Sequence, residues 1–233
     1  DPDVLIADDE FAALVDQHNL IEASVCRVSF DGARERWLDN ERLMQAEPVT
    51  DWPRVGPCDS ACIVYTSGTT SVPKGAELTH RGLLVNMCAS ADDVLALSAD
   101  DVGLAPMPLF HVGGLWYHLF PAFSAGATTH IMKHFDALEV LRLIARERIT
   151  HMHVVPAMIQ PLCMCPDLAS YDTSSLRLIF YAASSIPLAV LRRAMQAFSS
   201  SGFVQGYGST EAGMVTCLSP QDHRNAVENS FYE

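Results

Sequence analysis

The run Ala61-Cys62-Ile63-Val64-Tyr65-Thr66-Ser67-Gly68-Thr69-Thr70-Ser71-Val72-Pro73-Lys74-Gly75 sets the reading of this chain. Its first five residues form a short apolar stretch that suits a buried strand, and the glycine- and hydroxyl-rich residues after Tyr65 end it in a loop. Glycine leaves backbone N–H groups free to wrap phosphate oxygens, hydroxyls add donors, and Lys74 adds a cation. The plainer reading is a surface loop of small polar residues. A Walker A loop is excluded: that pattern needs Gly before the Lys and Ser or Thr after it, whereas Pro73 precedes Lys74 and Gly75 follows.

Outward from this loop, strand-like and helix-like periods alternate. Thr79 is placed to cap a helix through Leu83, Leu84 and Met87. Residues 128–132 read as a strand. Asp136-Ala137-Leu138-Glu139 then has capping-box spacing ahead of Val140, Leu141, Leu143 and Ile144. Residues 150–155 predict the next strand, with Pro156 suited to the first turn of the helix that follows. A strand over 176–181, a helix over 187–198 and a short strand over 203–205 continue the pattern. The fold class is therefore α/β, with parallel sheet layers flanked by helices. Ligands in such sheets bind beyond the carboxyl ends of strands, which singles out the residues after Tyr65, Val155, Tyr181 and Gln205.

Composition narrows the function classes. The 233 residues are 49% hydrophobic and 18% charged, which argues for a folded core and against disorder. The formal net charge of −13 argues against a nucleic-acid partner. Acidity is concentrated in residues 1–60, with 14 acids and 5 bases, and only two lysines occur, Lys74 and Lys133. The longest apolar stretch, 113–127, is broken by His118, Pro121 and Ser124, so no transmembrane segment is expected. Seven cysteines without framework spacing fit a reducing, cytoplasmic location. Cys163-Met164-Cys165 is too close for the usual zinc pattern. His151-Met152-His153 would put two imidazoles on one face of a strand, open to a metal or a structural role, and the structural role is favoured because no third ligand lies nearby in sequence.

A second glycine string, Gln205-Gly206-Tyr207-Gly208-Ser209-Thr210-Glu211, follows the last predicted strand. It fails as a dinucleotide fingerprint, because the third glycine would fall at Glu211. Together, the two strings resemble the paired signatures of the adenylate-forming superfamily, which includes acyl-CoA synthetases, luciferases and peptide-synthetase adenylation domains. The first matches Y-T-S-G-T-T-G-x-P-K-G except for Ser71, and the second matches Y-G-x-T-E. Pro108-Leu109-Phe110-His111-Val112-Gly113-Gly114 resembles the family's segment beside the acyl pocket, and Val154-Val155-Pro156-Ala157 its next strand end. Leu176 to Ile186 resembles its adenine-contacting strand and turn, with Ala182 and Ser185 replacing the usual Gly and Pro.

The resemblance implies Mg²⁺-dependent activation of a carboxylic acid by ATP, giving an acyl-adenylate and pyrophosphate, and then transfer to coenzyme A with release of AMP. It assigns Thr66, Ser67, Gly68, Thr69, Thr70 and Lys74 to the phosphates, and Ala183, Ser184, Gly206, Tyr207, Gly208 and Thr210 to the rest of the nucleotide. Lys74, Thr210 and Glu211 are the implied catalytic residues, with Glu211 the Mg²⁺ ligand; a hard carboxylate plus substrate phosphates is the usual Mg²⁺ environment. His111, Gly113, Trp116, Val155, Ala182 and Ser209 are assigned to the acid. The apolar and aromatic stretch 109–123 points to a fatty acid ahead of an aryl or branched acid. Loading of a carrier-protein thiol and a non-catalytic nucleotide-binding remnant are the alternatives. The resemblance further implies that residues 1–233 are the central part of one AMP-binding domain. The family's Y-x-T-G-D segment, its small C-terminal domain and part of its N-terminal region have no counterpart here, so little turnover is expected of this stretch alone. The sequence does not fix the oligomeric state.

Overall fold

Alternation along single strands explains how the sheet at the centre of this chain is covered. In the strand Leu178–Tyr181, Ile179 and Tyr181 join one buried cluster, and Leu178 and Phe180 join another on the opposite face. A strand buried on both faces reads as a continuous apolar run, and this one is LIFY. The computed structural model describes residues 2–30, 32, 34–67 and 72–228. It divides into two units, residues 1–54 and 55–233.

The first unit contains β1 (Val4–Ala7), α1 (Asp9–His18), β2 (Cys26–Ser29), β3 (Leu38–Asp39) and α2 (Asn40–Leu43). The three strands are parallel, in the order β1-β2-β3. Asp16 ties the unit together by accepting from the Trp37 indole N–H at 3.1 Å, from Arg34 Nε at 2.9 Å and from Arg27 at 3.2 Å.

The second unit begins with a hairpin of β4 (Ser60–Thr66) and β5 (Lys74–Thr79), followed by α3 (His80–Ala89). Then come β6 (Val102–Ala105), α4 (Val112–Gly114), α5 (Phe120–Ser124), β7 (Thr128–Ile131) and α6 (Ala137–Glu147). The rest is β8 (His151–Val154), α7 (Pro156–Met164), β9 (Leu178–Tyr181), α8 (Leu188–Ala197), β10 (Gly202–Ser209), β11 (Gly213–Leu218) and α9 (Pro220–Glu228). The main sheet has the order β11-β10-β9-β8-β6-β7, parallel except for β11. Helices α6, α7 and α8 cover one face through Val140, Leu141, Ile144, Ile159, Leu162 and Leu191. The mixed α and π segment 112–124 and the turn after α3 contribute to the other, where Leu95 and Tyr117 meet Leu178, Phe180 and Val204.

Local signals behave as their chemistry dictates. Thr79 caps α3 by accepting from Gly82 N at 3.2 Å, and Asp136 caps α6 by accepting from Glu139 N at 2.8 Å. All four apolar residues expected to face the core from α6 are buried.

Two expectations are corrected. The apolar stretch 61–65 is not a buried strand of the parallel sheet: β4 pairs antiparallel with β5 alone, with Ile63 57% and Tyr65 74% exposed. Its partner lies immediately across the loop, so a local hairpin forms where a crossover was inferred. The strand expected to end at Gln205 instead runs to Ser209. A bulge at Tyr207/Gly208 and the antiparallel partner β11 carry it on.

Candidate active site at the strand ends

The carboxyl ends of β8, β9 and β10 lie side by side: His153 pairs in register with Phe180, and Phe180 with Val204. Beyond them β10 continues through Gly206, Tyr207, Gly208 and Ser209 before turning at Thr210 to Ala212 into β11. Gly206 crosses directly over Phe180; a Cβ there would sit 2.5 Å from Phe180 Cζ, so only glycine allows this approach. Gly213, at φ +73°, makes the return turn against the Asn86 side chain.

A pocket of about 230 Å³ opens between these strand ends and α4. His111 and Gly113 line it from α4 and its cap, Ala182 and Ala183 from the residues after β9, and Gly206 to Thr210 from the β10 hairpin. Nine of the residues assigned from the sequence thus surround one space. His111 is oriented by its role as a cap, its Nδ1 accepting from Gly113 N at 3.0 Å. Ala183 holds φ +76°, a left-handed backbone that a residue with a Cβ adopts at a cost, and such strain collects at functional sites. Ala182, where the related pattern has glycine, puts its methyl into the wall.

A second cleft, of about 510 Å³, adjoins the first, with Tyr117 and Thr210 lining both. Glu211, Trp116, Thr79, Arg81 and Asn86 also line it. The Tyr117 hydroxyl donates to the Ser209 carbonyl at 3.1 Å, and burial pushes its pKa up to about 12, so it stays a neutral donor. Asn86 grips the far side of the hairpin: its Nδ2 donates to Met214 O at 3.2 Å and its Oδ1 accepts from Met214 N at 3.4 Å. The Thr210–Glu211 turn is therefore held by Tyr117 and Asn86, neither of which carries a motif.

Glu211 is exposed on that turn. Among the described residues no group of three or more His, Cys, Asp or Glu could hold a metal. A single carboxylate beside the Thr210 hydroxyl fits a Mg²⁺ that takes its remaining ligands from substrate phosphates and water, rather than a protein cage.

Other assigned residues lie elsewhere. Lys74 is exposed on β5 and lines neither space, and the Thr66 hydroxyl points to the Lys74 carbonyl at 3.4 Å across the hairpin. Ser67 is exposed just after β4, and Gly68, Thr69, Thr70 and Ser71 lie outside the described residues. Val155, the cap residue of α7, and the exposed Ser184 line neither space. Trp116 belongs to the larger cleft, 4.5 Å from the Phe120 ring. The stretch 109–123 supplies less lining than its composition suggests, since Phe110 is 89% and Phe123 57% exposed.

Three histidines, His118, His151 and His153, are buried, and of them His153 lines the pocket. Burial lowers the pKa of His118 well below its ordinary range, that of His151 to about 4 and that of His153 to about 3. His151 and His153 share a strand face, as the sequence spacing requires. Sequence reasoning missed Asn86, Met107, Tyr117, Phe180 and Met214 as lining residues, and only the i, i+2 signal pointed to His153.

A family model described as an AMP-binding enzyme matches residues 1–230. The chain belongs to the AMP-binding enzyme family. It is 40% identical over 212 residues to an indoleacetate–CoA ligase of Aromatoleum aromaticum, covering 90% of this chain and 41% of the relative. It is 36% identical over 196 residues to a 4-coumarate–CoA ligase of Pinus taeda, covering 82% and 36%. Of solved structures, the inhibitor-bound N-terminal domain of FACL13 from Mycobacterium tuberculosis superposes with a TM-score of 0.81 at 28% identity, covering 97% of this chain and 55% of that one. A luciferase-like enzyme from Zophobas morio shares the fold, with a TM-score of 0.84 at 18% identity over 99% of this chain and 54% of the other. The chain spans about two fifths of the length of these curated relatives. In this member of the family no helix among the described residues is long and apolar enough to cross a membrane.

Proposed function

We propose that the protein carrying this chain is an AMP-forming acid–CoA ligase that activates an aromatic carboxylic acid. The observation that carries the reading is the meeting of two spaces at the Ser209–Glu211 turn. One is a small pocket walled by α4 and the strand ends; the other is a cleft containing Glu211. The acid occupies the small pocket with its carboxylate toward Thr210, and ATP lies along the turn with its α-phosphorus facing that carboxylate. The carboxylate oxygen attacks phosphorus, pyrophosphate leaves, and the CoA thiol then attacks the acyl carbon and displaces AMP.

The chain's residues supply orientation and charge. Tyr207, 72% exposed at the rim, offers a face for adenine. Thr210 donates to the α-phosphate, and Lys74, the first residue of β5, offsets the repulsion between two anions once the phosphates reach that end of the hairpin. A divalent cation held through Glu211 neutralises phosphate charge when it is bound.

An aromatic acid is favoured over a fatty acid because the pocket is small and the apolar stretch 109–123 turns part of its side chains to solvent. The named acids of the relatives, indoleacetate and 4-coumarate, are aromatic too. The unpaired cysteines suit a reducing compartment such as the cytoplasm.

Acid-dependent ATP–pyrophosphate exchange by the full-length protein, with aryl acids, fatty acids and amino acids compared, tests the reading. Aryl acids are expected to give the highest kcat/KM, with product appearing on CoA. Preference for long-chain acids would overturn the substrate, transfer only to a carrier thiol would overturn the acceptor, and no exchange with any acid would overturn the reaction. Glu211→Gln should reduce Mg²⁺-dependent exchange by about 100-fold or more; unchanged exchange would reject the metal assignment.

A further inference from the structure

His223 is a buried titratable group that the chemistry proposed above does not use. It is 2% exposed in the first turn of α9, and its Nε2 lies 2.8 Å from the hydroxyl of Tyr181, 42 positions away. Tyr181, the last residue of β9, is 1% exposed, and the two rings meet edge to face at 5.7 Å. The other ring nitrogen, Nδ1, lies 2.8 Å from the Ser219 carbonyl. A carbonyl oxygen only accepts, so Nδ1 carries the proton of the neutral ring, Nε2 accepts, and Tyr181 donates. Burial favours that neutral ring, against a smaller opposing pull from Ser219 and Asp222.

This bond closes a loop of structure around the Glu211 turn. β10 leads into the turn and β11 leads out of it, and β11 is the edge strand of the sheet, beside β10. α9 starts two residues after β11, and its first turn is locked. Ser219 N and Oγ donate to Asp222 Oδ2 at 2.8 and 2.7 Å, and Asp222 N donates back to Ser219 Oγ at 3.2 Å, the reciprocal pattern of a capping box. A rigid first turn carries the position of β11 to His223. Through Tyr181, His223 is then fastened to β9, on the far side of β10. Directly after Tyr181 come Ala182 and Ala183, which line the small pocket, with Ala183 at φ +76°. A left-handed residue with a Cβ persists only where its surroundings hold it. The strand end that precedes it is part of that hold.

We propose that Tyr181 and His223 are positioning residues for acid activation, their hydrogen bond fixing the Ala182–Ala183 segment relative to the foot of the hairpin that carries Thr210 and Glu211. The inference rests on the ligase reading above and adds to it a pair that touches neither ATP nor the acid. Reacting groups on separate segments must be held within a fraction of an ångström, and a displacement of about 1 Å by a remote change can cost about 100-fold in rate. Looser walls therefore cost turnover more than they cost binding.

The experiment measures acid-dependent pyrophosphate exchange by the full-length protein, with urea unfolding to fix the folded fraction of each variant. Tyr181→Phe, which removes one oxygen and keeps the ring, should lower kcat by about 10- to 100-fold and change KM for ATP and for the acid by less than about threefold. His223→Leu should match it, and the double variant should be no slower than either single one, because both remove the same bond. His223→Gln, whose amide oxygen replaces Nε2 as acceptor, should regain most of the lost kcat and covers the case in which His223→Leu does not fold. Amide exchange at Ala182 and Ala183 should quicken in Tyr181→Phe while exchange at Ile179 stays native. Native kcat in folded Tyr181→Phe, losses that add in the double variant, or a loss that follows the folded fraction alone overturns the positioning role and leaves the ligase reading standing. No exchange by the native protein with any acid overturns both.

Discussion

Replacing Arg177 by Met should unfasten the end of the sheet opposite the site. Arg177 lies just before β9 and donates to Asp101 Oδ1 at 2.8 Å and Oδ2 at 3.0 Å, to Leu95 O at 3.1 Å and to Ala96 O at 2.9 Å. Asp101 also accepts from Thr150 Oγ1 at 2.6 Å and Ser98 N at 2.9 Å. Removing one partner of a buried pair costs roughly 3–5 kcal/mol. Here the carboxylate is 7% exposed but the guanidinium 38%, so screening reduces the expected loss to about 2–3 kcal/mol. For a chain of this size that lowers Tm by about 4–12 °C.

The pH dependence adds a second arm. Burial alone would raise the Asp101 pKa, but hydrogen bonds from Arg177, Thr150 and Ser98 and the Arg177 charge outweigh it and hold the carboxyl well below its usual range. A group whose folded pKa is depressed contributes stability above its unfolded pKa, near 3.9, and loses it as pH falls toward the folded value. In Arg177→Met the carboxyl keeps its burial and loses its cation, so its pKa rises and the variant gives up less on acidification. The gap between native and variant, measured by urea unfolding, should hold near neutral pH and shrink as pH falls below about 4, where the native carboxyl gives up its contribution. A loss under about 1 kcal/mol at pH 7 would refute the reasoning, as would a gap that does not change with pH.

Asn86→Ala should speed amide exchange at Met214 and, in acid-dependent pyrophosphate exchange by the full-length protein, lower kcat more than it raises KM for the acid, because it frees the Thr210–Glu211 turn; unchanged exchange at Met214 would count against this. Gly206→Ala should cost about 1–3 kcal/mol by driving a methyl into Phe180, read as a lower urea midpoint. Ala183→Gly should relieve a left-handed backbone worth about 1–2 kcal/mol, less about 0.5–1 kcal/mol for the added freedom of the unfolded chain, leaving Tm equal to or above native; a clear fall would show that the site depends on the Ala183 methyl.

Features legible in the sequence were those in which a few neighbouring residues decide the outcome. Thr79 and Asp136 sit where their oxygens meet free N–H groups of a helix start, and VLRLI in α6 shows its buried face by spacing alone. LIFY in β9 declares a strand buried on both faces. The stretch 61–65 has the same apolar composition and misled, because an apolar run does not say whether its partner is a distant parallel strand or the next segment of chain. The antiparallel continuation of β10 was hidden for a similar reason: Gly206 and Gly208 read as the end of a strand until β11 is seen beside them.

The sequence by itself determined the alternation of strand and helix between residues 128 and 205, the caps of α3 and α6, and the two motif strings that mark the chemistry. Those properties depend on contacts a few residues apart. Tertiary structure alone decided which residues share a cavity. It placed Tyr117 and Asn86 on the turn that carries Glu211, and set Lys74 on a hairpin strand that lines neither space. Such juxtapositions join residues up to 128 positions apart, and they arise from the summed packing of a whole sheet face, which no local pattern of residues encodes.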